Sequence, residues 1–152
     1  LDDLLIGDTW TEDGRGYVVT GAALTNLSGY ALEITAEVRA RGTGTSFDTT
    51  IRAGHQVAWI GDQDGDGRTE AIVGSRHSVV EGPLRGSVAL FRTDTTLVGD
   101  PSLPESDVLF TGPEYGELGY ALAVGDLNDD GIDDVVLRER GATRAIHVFL
   151  GR

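Results

Sequence analysis

Apolar residues in this chain come in short runs set between polar, glycine-rich stretches. The clearest runs are Leu4-Leu5-Ile6, Tyr17-Val18-Val19, Val57-Ala58-Trp59-Ile60, Ala71-Ile72-Val73, Val88-Ala89-Leu90-Phe91, Val135-Val136-Leu137 and Val148-Phe149-Leu150. Runs this short, rich in β-branched and aromatic residues and bounded by glycine, predict strands and not helices. Ala31 to Arg39 alternates apolar and polar residues, as a half-buried strand does. The pattern predicts strands over 16–19, 31–39, 54–60, 71–74, 86–91, 107–111, 119–124, 135–137 and 145–150, and a strand leaving Asp3. No long helix is expected. Leu97 to Asp107 carries Pro101 and Pro104 and reads as a loop, and Gly42 to Ser46 reads as a turn.

Two of the polar stretches are copies of one pattern. One is Asp62-Gln63-Asp64-Gly65-Asp66-Gly67-Arg68-Thr69-Glu70, and the other is Asp126-Leu127-Asn128-Asp129-Asp130-Gly131-Ile132-Asp133-Asp134. Each is preceded by Gly and an apolar run and followed by another apolar run. Counted from the first Asp, oxygen-bearing side chains fall at positions 1, 3, 5 and 9, with glycine at 6. Glu70 and Asp134 are 64 residues apart, and Asp3 stands 67 residues before Glu70 with a matching apolar run behind it. The spacing implies a repeat. The expectation is a single array over 1–152: a partial repeat over about 1–53, a repeat over 54–117, and a repeat start through its third strand over 118–152. Four short strands per repeat point to propeller blades in an all-β chain. Asp3 then reads as the last ligand of a loop whose first half precedes the chain.

Alternating oxygen side chains in a tight loop converge on one point, which suits calcium, a hard cation taking six to eight oxygen ligands. The expected ligands are Asp62, Asp64 and Asp66 with the Arg68 carbonyl and Glu70, and Asp126, Asn128 and Asp130 with the Ile132 carbonyl and Asp134. Magnesium, which keeps its waters and a strict octahedron, suits the pattern less well. An EF-hand requires Glu at position 12 and flanking helices. Position 12 is Val73 in one loop and Leu137 in the other, each inside a strand-like run. The bland reading, solvated turns rich in Asp and Gly, accounts for one loop more easily than for two in register.

The stretch Gly119 to Leu137, an apolar strand, Gly-Asp-x-Asn-x-Asp-Gly-x-x-Asp and a second apolar strand, resembles the FG-GAP repeat of integrin α-subunit β-propellers and many bacterial surface proteins. Gly54 to Gly74 repeats it. Ala53 and Leu118 stand where the family has Phe, and the Gly-Ala-Pro element is reduced to Gly7-Asp8-Thr9 and Gly74-Ser75-Arg76. The resemblance implies calcium-braced blades, with ligands bound elsewhere on the propeller. Family propellers close with about seven blades. Two full repeats and a partial one therefore imply either an open fragment or blades completed by further copies, in a ring or a filament.

Composition narrows the function. The net charge is −13, from 12 basic and 25 acidic residues, which argues against a nucleic-acid partner. There is no Cys, so thiolate metal sites and disulfides are excluded, and there is no Met. No apolar run is long enough for a membrane helix. All the basic residues are Arg. His55, His77 and His147 are scattered, no Gly-x-Ser-x-Gly elbow occurs, and the loops account for part of the acidity, so no catalytic residues are expected. Trp10 and Tyr115 are candidates for a sugar platform, Trp59 reads as core, and Asn26-Leu27-Ser28 fits a glycosylation sequon. The sequence therefore reads as an extracellular or surface calcium-binding module that binds protein or glycan, or assembles with itself. The competing reading is an accessory binding domain of a secreted polysaccharide hydrolase or lyase.

Overall fold

The computed structural model describes residues 3–9, 14–19, 36–39, 53–79, 82–93, 103–141 and 143–152. Among them lie ten strands and one short 3-10 turn. The strands are β1 (Leu4–Asp8), β2 (Arg15–Val19), β3 (Ala36–Arg39), β4 (Ala53–Ile60), β5 (Glu70–Ser75), β6 (Ser87–Phe91), β7 (Val108–Thr111), β8 (Ala121–Gly125), β9 (Asp134–Arg138) and β10 (Ile146–Phe149). They form three antiparallel meanders: β1-β2-β3, β4-β5-β6-β7 and β8-β9-β10. The expectation of an all-β chain holds. Residues 31–35, Gly42 to Ser46, Trp10 and the sequon at Asn26 lie outside the described residues. Leu103–Glu105 is the 3-10 turn and not plain loop. Pro104 suits the first helical turn, where its missing N–H costs nothing, and Leu103 is only 1% exposed.

The middle sheet explains the apolar runs. Every residue of β5 and β6 is buried, because both faces of this sheet are covered. Side-chain alternation then sends neighbours to opposite cores. Val73, Ala89 and Phe91 face the first sheet and pack with Val18, Ala53 and Leu103. Ile72, Val88 and Leu90 face the third sheet and pack with Ile60, Leu118, Val135 and Leu137. The register agrees: Ile72 pairs with Leu90 and Ala58 with Ile72 across the strands, while Val73 pairs with Ala89 and Val57. Trp59 packs against the first of these cores, as expected. Each such aliphatic or aromatic side chain contributes about 1.5–3 kcal/mol on burial, so the two clusters bind three sheets into one stack.

The sheets also meet backbone to backbone at glycines placed by the repeat. Gly54 has φ +73° and Gly119 φ +83°, a region that L side chains rarely adopt. A Cβ on Gly54 would overlap the Arg15 carbonyl oxygen, and one on Gly7 would overlap the Gly54 carbonyl oxygen. One step along the repeat, a Cβ on Gly119 would stand 2.9 Å from Val88 Cγ2. β8 begins at Ala121, two residues later than expected, beyond Gly119 and its positive φ. At the matching point of β4 the register shifts between Ala53 and Gln56.

Gly54→Ala should therefore destabilise the protein by about 2 kcal/mol or more, from backbone strain plus the overlap. Gly125→Ala, where no heavy atom lies within 4 Å of the added Cβ, should cost about 1 kcal/mol or less. Urea unfolding measures both, and an unchanged midpoint for Gly54→Ala contradicts the close-approach account.

Candidate metal centre

The two acidic loops join β4 to β5 and β8 to β9, at the same end of their sheets. Their hydrogen-bond frames are superposable in sequence terms. Asp62 Oδ1 accepts from the Gly65 N–H at 2.6 Å and the Asp66 N–H at 3.1 Å, and its Oδ2 accepts from Gly67 at 2.7 Å. Asp126 accepts in the same way from Asp130 at 3.2 Å and Gly131 at 2.8 Å. At position 3, Asp64 accepts from the Asp66 N–H at 3.1 Å, and Asn128 from the Asp130 N–H at 3.0 Å. At position 5, Asp66 accepts from Arg68 at 2.8 Å, and Asp130 from Ile132 at 2.9 Å. Position 9 closes each loop: Glu70 accepts from Gln63 N–H at 2.7 Å, and Asp134 from Leu127 N–H at 2.8 Å. Gly67 and Gly131 share φ +86°, which the turn at position 6 demands.

In the first loop Asp62, Asp64, Asp66 and Glu70 each bring a carboxylate oxygen within 4.8 Å of the others. Glu70 is 1% exposed and Asp134 fully buried, Asp133 is half-buried, and the other loop carboxylates face solvent. Four carboxylates so close repel unless a cation sits among them. The all-oxygen donor set, the buried closing carboxylate and the rigid backbone frame fit a hard divalent cation. Asp62, Asp64, Asp66 and Glu70 would hold it, and the ion would supply the positive charge that this cluster lacks. In the second loop Asn128 Nδ2 donates to Asp130 Oδ2 at 2.9 Å, drawing two of the expected donors together. Of the remaining expected ligands, Arg68 and Ile132 contribute N–H groups to the frame. Asp3 is exposed and immediately precedes β1, at the place that Glu70 at the head of β5 and Asp134 at the head of β9 take in their sheets.

Several residues of this centre escape a reading of loop spacing. Asp133 sits at position 8 and faces away from its own loop. Its Oδ2 accepts the Gly61 N–H at 2.9 Å, and its carbonyl accepts from Gln63 Nε2 at 3.3 Å, so the second loop is docked on the first. Gly151 N–H donates to Asp134 Oδ1 at 2.9 Å. Arg92, at the end of β6, places Nε 3.2 Å from Asp64 Oδ2 and 3.9 Å from Asp107 Oδ1. A cleft of about 360 Å³ opens beside the first loop, lined by Asp64, Glu70, Arg92, Phe110 and Phe149 among others. Of the histidines, His147 is satisfied by buried Glu139, with Nε2 2.7 Å from Oε1, while Thr143 Oγ1 donates to the other carboxylate oxygen. Tyr115 is 61% exposed, as a platform residue must be.

The electrostatics separate the loop positions. Backbone donation, led by Gly67 and Gly131, lowers the pKa of Asp62 and Asp126. Burial, opposed by the Gln63 N–H, raises that of Glu70, and the charges of Asp64, Asp62 and Asp66 raise it further.

Residues 118–149 match the family model described as FG-GAP repeat. The match spans β8, the second acidic loop, β9 and β10. This segment is thus similar to an FG-GAP repeat, and the antiparallel sheet it forms is of the propeller-like kind. The first loop and its sheet share the second loop's frame, although the match does not extend to them. Comparison with curated proteins gave no match. No helix among the described residues is long and apolar enough to cross a membrane.

Glu70 supplies a pH test. Unfolded, it ionises near its ordinary 4.5; folded, it keeps its proton to higher pH. Without calcium the folded state therefore binds more protons in the window above 4.5, and stability falls as pH rises through it. Urea midpoints in chelator should fall with pH more steeply for the wild type than for Glu70→Gln. Identical pH slopes for the two proteins count against the strained carboxylate.

Proposed function

We propose that this chain is a calcium-binding, propeller-type module of the extracellular or cell-surface kind, and that it works by binding rather than by chemistry. The observation that carries the reading is the pair of acidic loops with the same backbone frame, joined through Asp133. Calcium at these loops neutralises the gathered carboxylates and stiffens the turns between β4 and β5 and between β8 and β9. The carboxylates are tied to backbone N–H groups in a frame that suits holding a cation, not transferring protons. External calcium is typically millimolar, and extracellular modules bind it with Kd of about 10⁻⁴–10⁻³ M. The recognised partner is a protein or glycan, or further sheets of the same kind. Ile146, Val148 and Leu150 on and beside β10 are more than half exposed. They support the expectation that more sheet covers this edge in the full assembly.

Calorimetry with calcium should give binding in the micromolar to millimolar range, with a matching rise in unfolding temperature that chelator reverses. Asp62→Asn should weaken calcium binding by about tenfold or more, roughly 1.4 kcal/mol. The absence of calcium binding across that range would falsify the proposal.

A further inference from the structure

We propose that Arg76, Arg138 and Arg140, gathered around Tyr120, form a binding site for an oxyanion: a sulfate, phosphate or carboxylate group. The proposal deepens the reading of the chain as a ligand-binding module by naming the ligand's chemistry.

The site lies at the end of the strands away from the acidic loops. Arg76 follows β5, Arg138 is the last residue of β9, and Tyr120 immediately precedes β8. The guanidinium carbons of Arg76, Arg138 and Arg140 stand 5.7, 5.3 and 5.3 Å from the Tyr120 ring centroid. No two of them can therefore be more than about 11 Å apart, close to the Debye length, so their repulsion is only partly screened. The chain has just 12 basic residues and a net charge of −13. Collecting three of them at one ring is the opposite of what dispersal among 25 carboxylates would give.

Attraction to the ring explains why each arginine sits there, but it leaves their shared charge unanswered. Glu117 is the carboxylate at hand, with Oε2 3.8 Å from Arg140 Nη1 and 3.9 Å from His77 Nε2. Among the described residues, Glu117 is the carboxylate paired with this group, and the three guanidiniums outnumber it. The His55 ring lies 6.0 Å from that of Tyr120. The Nε of Arg76 is buried and has no hydrogen-bond partner among the described residues, and such groups call for an acceptor. Arg138 and Arg140 are exposed and can turn their forks to solvent.

The repeat adds a further mark. Gly7 and Gly74 each stand four residues after the last loop position, and Arg138 takes that place in the third sheet. Where the other two sheets have a glycine, this one has a cation. Planar guanidinium forks held against a ring match the paired oxygens of carboxylate, sulfate and phosphate. Stacking also limits the entropy lost when they bind.

The test titrates the whole chain with sodium sulfate, sodium phosphate or sodium glucuronate. Ionic strength is held constant with sodium chloride, and the Tyr120 ring and arginine Nε–Hε resonances are followed. At least one probe should give a saturable shift. The variant Arg138→Gln/Arg140→Gln should weaken that binding about tenfold or more, while keeping its calcium response as proof of folding. A preference for sulfate or phosphate assigns a tetrahedral dianion, and a preference for glucuronate assigns a carboxylate. Either supports the site. Shifts that merely follow ionic strength, or saturable binding unchanged in the variant, overturn it. A chain that binds the probe but not calcium would sink the calcium-braced reading and leave this site standing.

Discussion

The structure turns on the crowding of carboxylates at the turns between paired strands. Asp62, Asp64, Asp66 and Glu70 bring their oxygens within 4.8 Å of one another, and the closing Glu70 is buried. Such a cluster costs free energy on its own, yet the chain builds its frame twice, with the same N–H groups aimed at the same side-chain positions. Backbone donors offset part of the charge at Asp62 and Asp126. They do less for Glu70, which burial and its neighbours hold above its ordinary pKa. A cation would answer the whole cluster at once, and under the proposal the strands that enter and leave each loop would inherit its rigidity.

The two loops are also coupled to each other across the sheets. Asp133 passes a hydrogen bond from the second loop to the first, and the cores on both faces of the middle sheet lock the same strands from the sides. At the far end, glycine contacts such as Gly7 with Gly54 let backbones approach where side chains could not fit. One end of the stack is thus organised by charge and the other by the lack of side chains. The arginines around Tyr120 occupy that second end.

Much of this was legible in the chain. The runs at 71–73 and 88–91 announced strands, though not that both faces would be covered, and the two loops announced their own repeat. Strand ends were less legible: positive φ at Gly119 is a property of backbone contact between sheets, not of local pattern. Asp133 was invisible for a related reason. Loop spacing identifies residues aimed inward, and Asp133 acts by facing out, toward a loop more than seventy residues away. The arginine cluster was hidden more deeply. Arg76, Arg138, Arg140 and Tyr120 belong to different strand ends, and only the pairing of β8 with β9 and the stacking of sheets bring them together. An all-arginine basic set carried no mechanism in the sequence, and it acquires one from position.

The central claim is that calcium braces the loop frames. Hydrogen exchange at the amides of Gln63, Gly65, Gly67, Leu127 and Gly131 tests it most directly, since these N–H groups form the frames. The account predicts that calcium slows their exchange by about tenfold or more relative to chelator, ahead of any change in the cores, because loop opening is the low-energy fluctuation that the ion suppresses. Exchange at the same rate with and without calcium would contradict it.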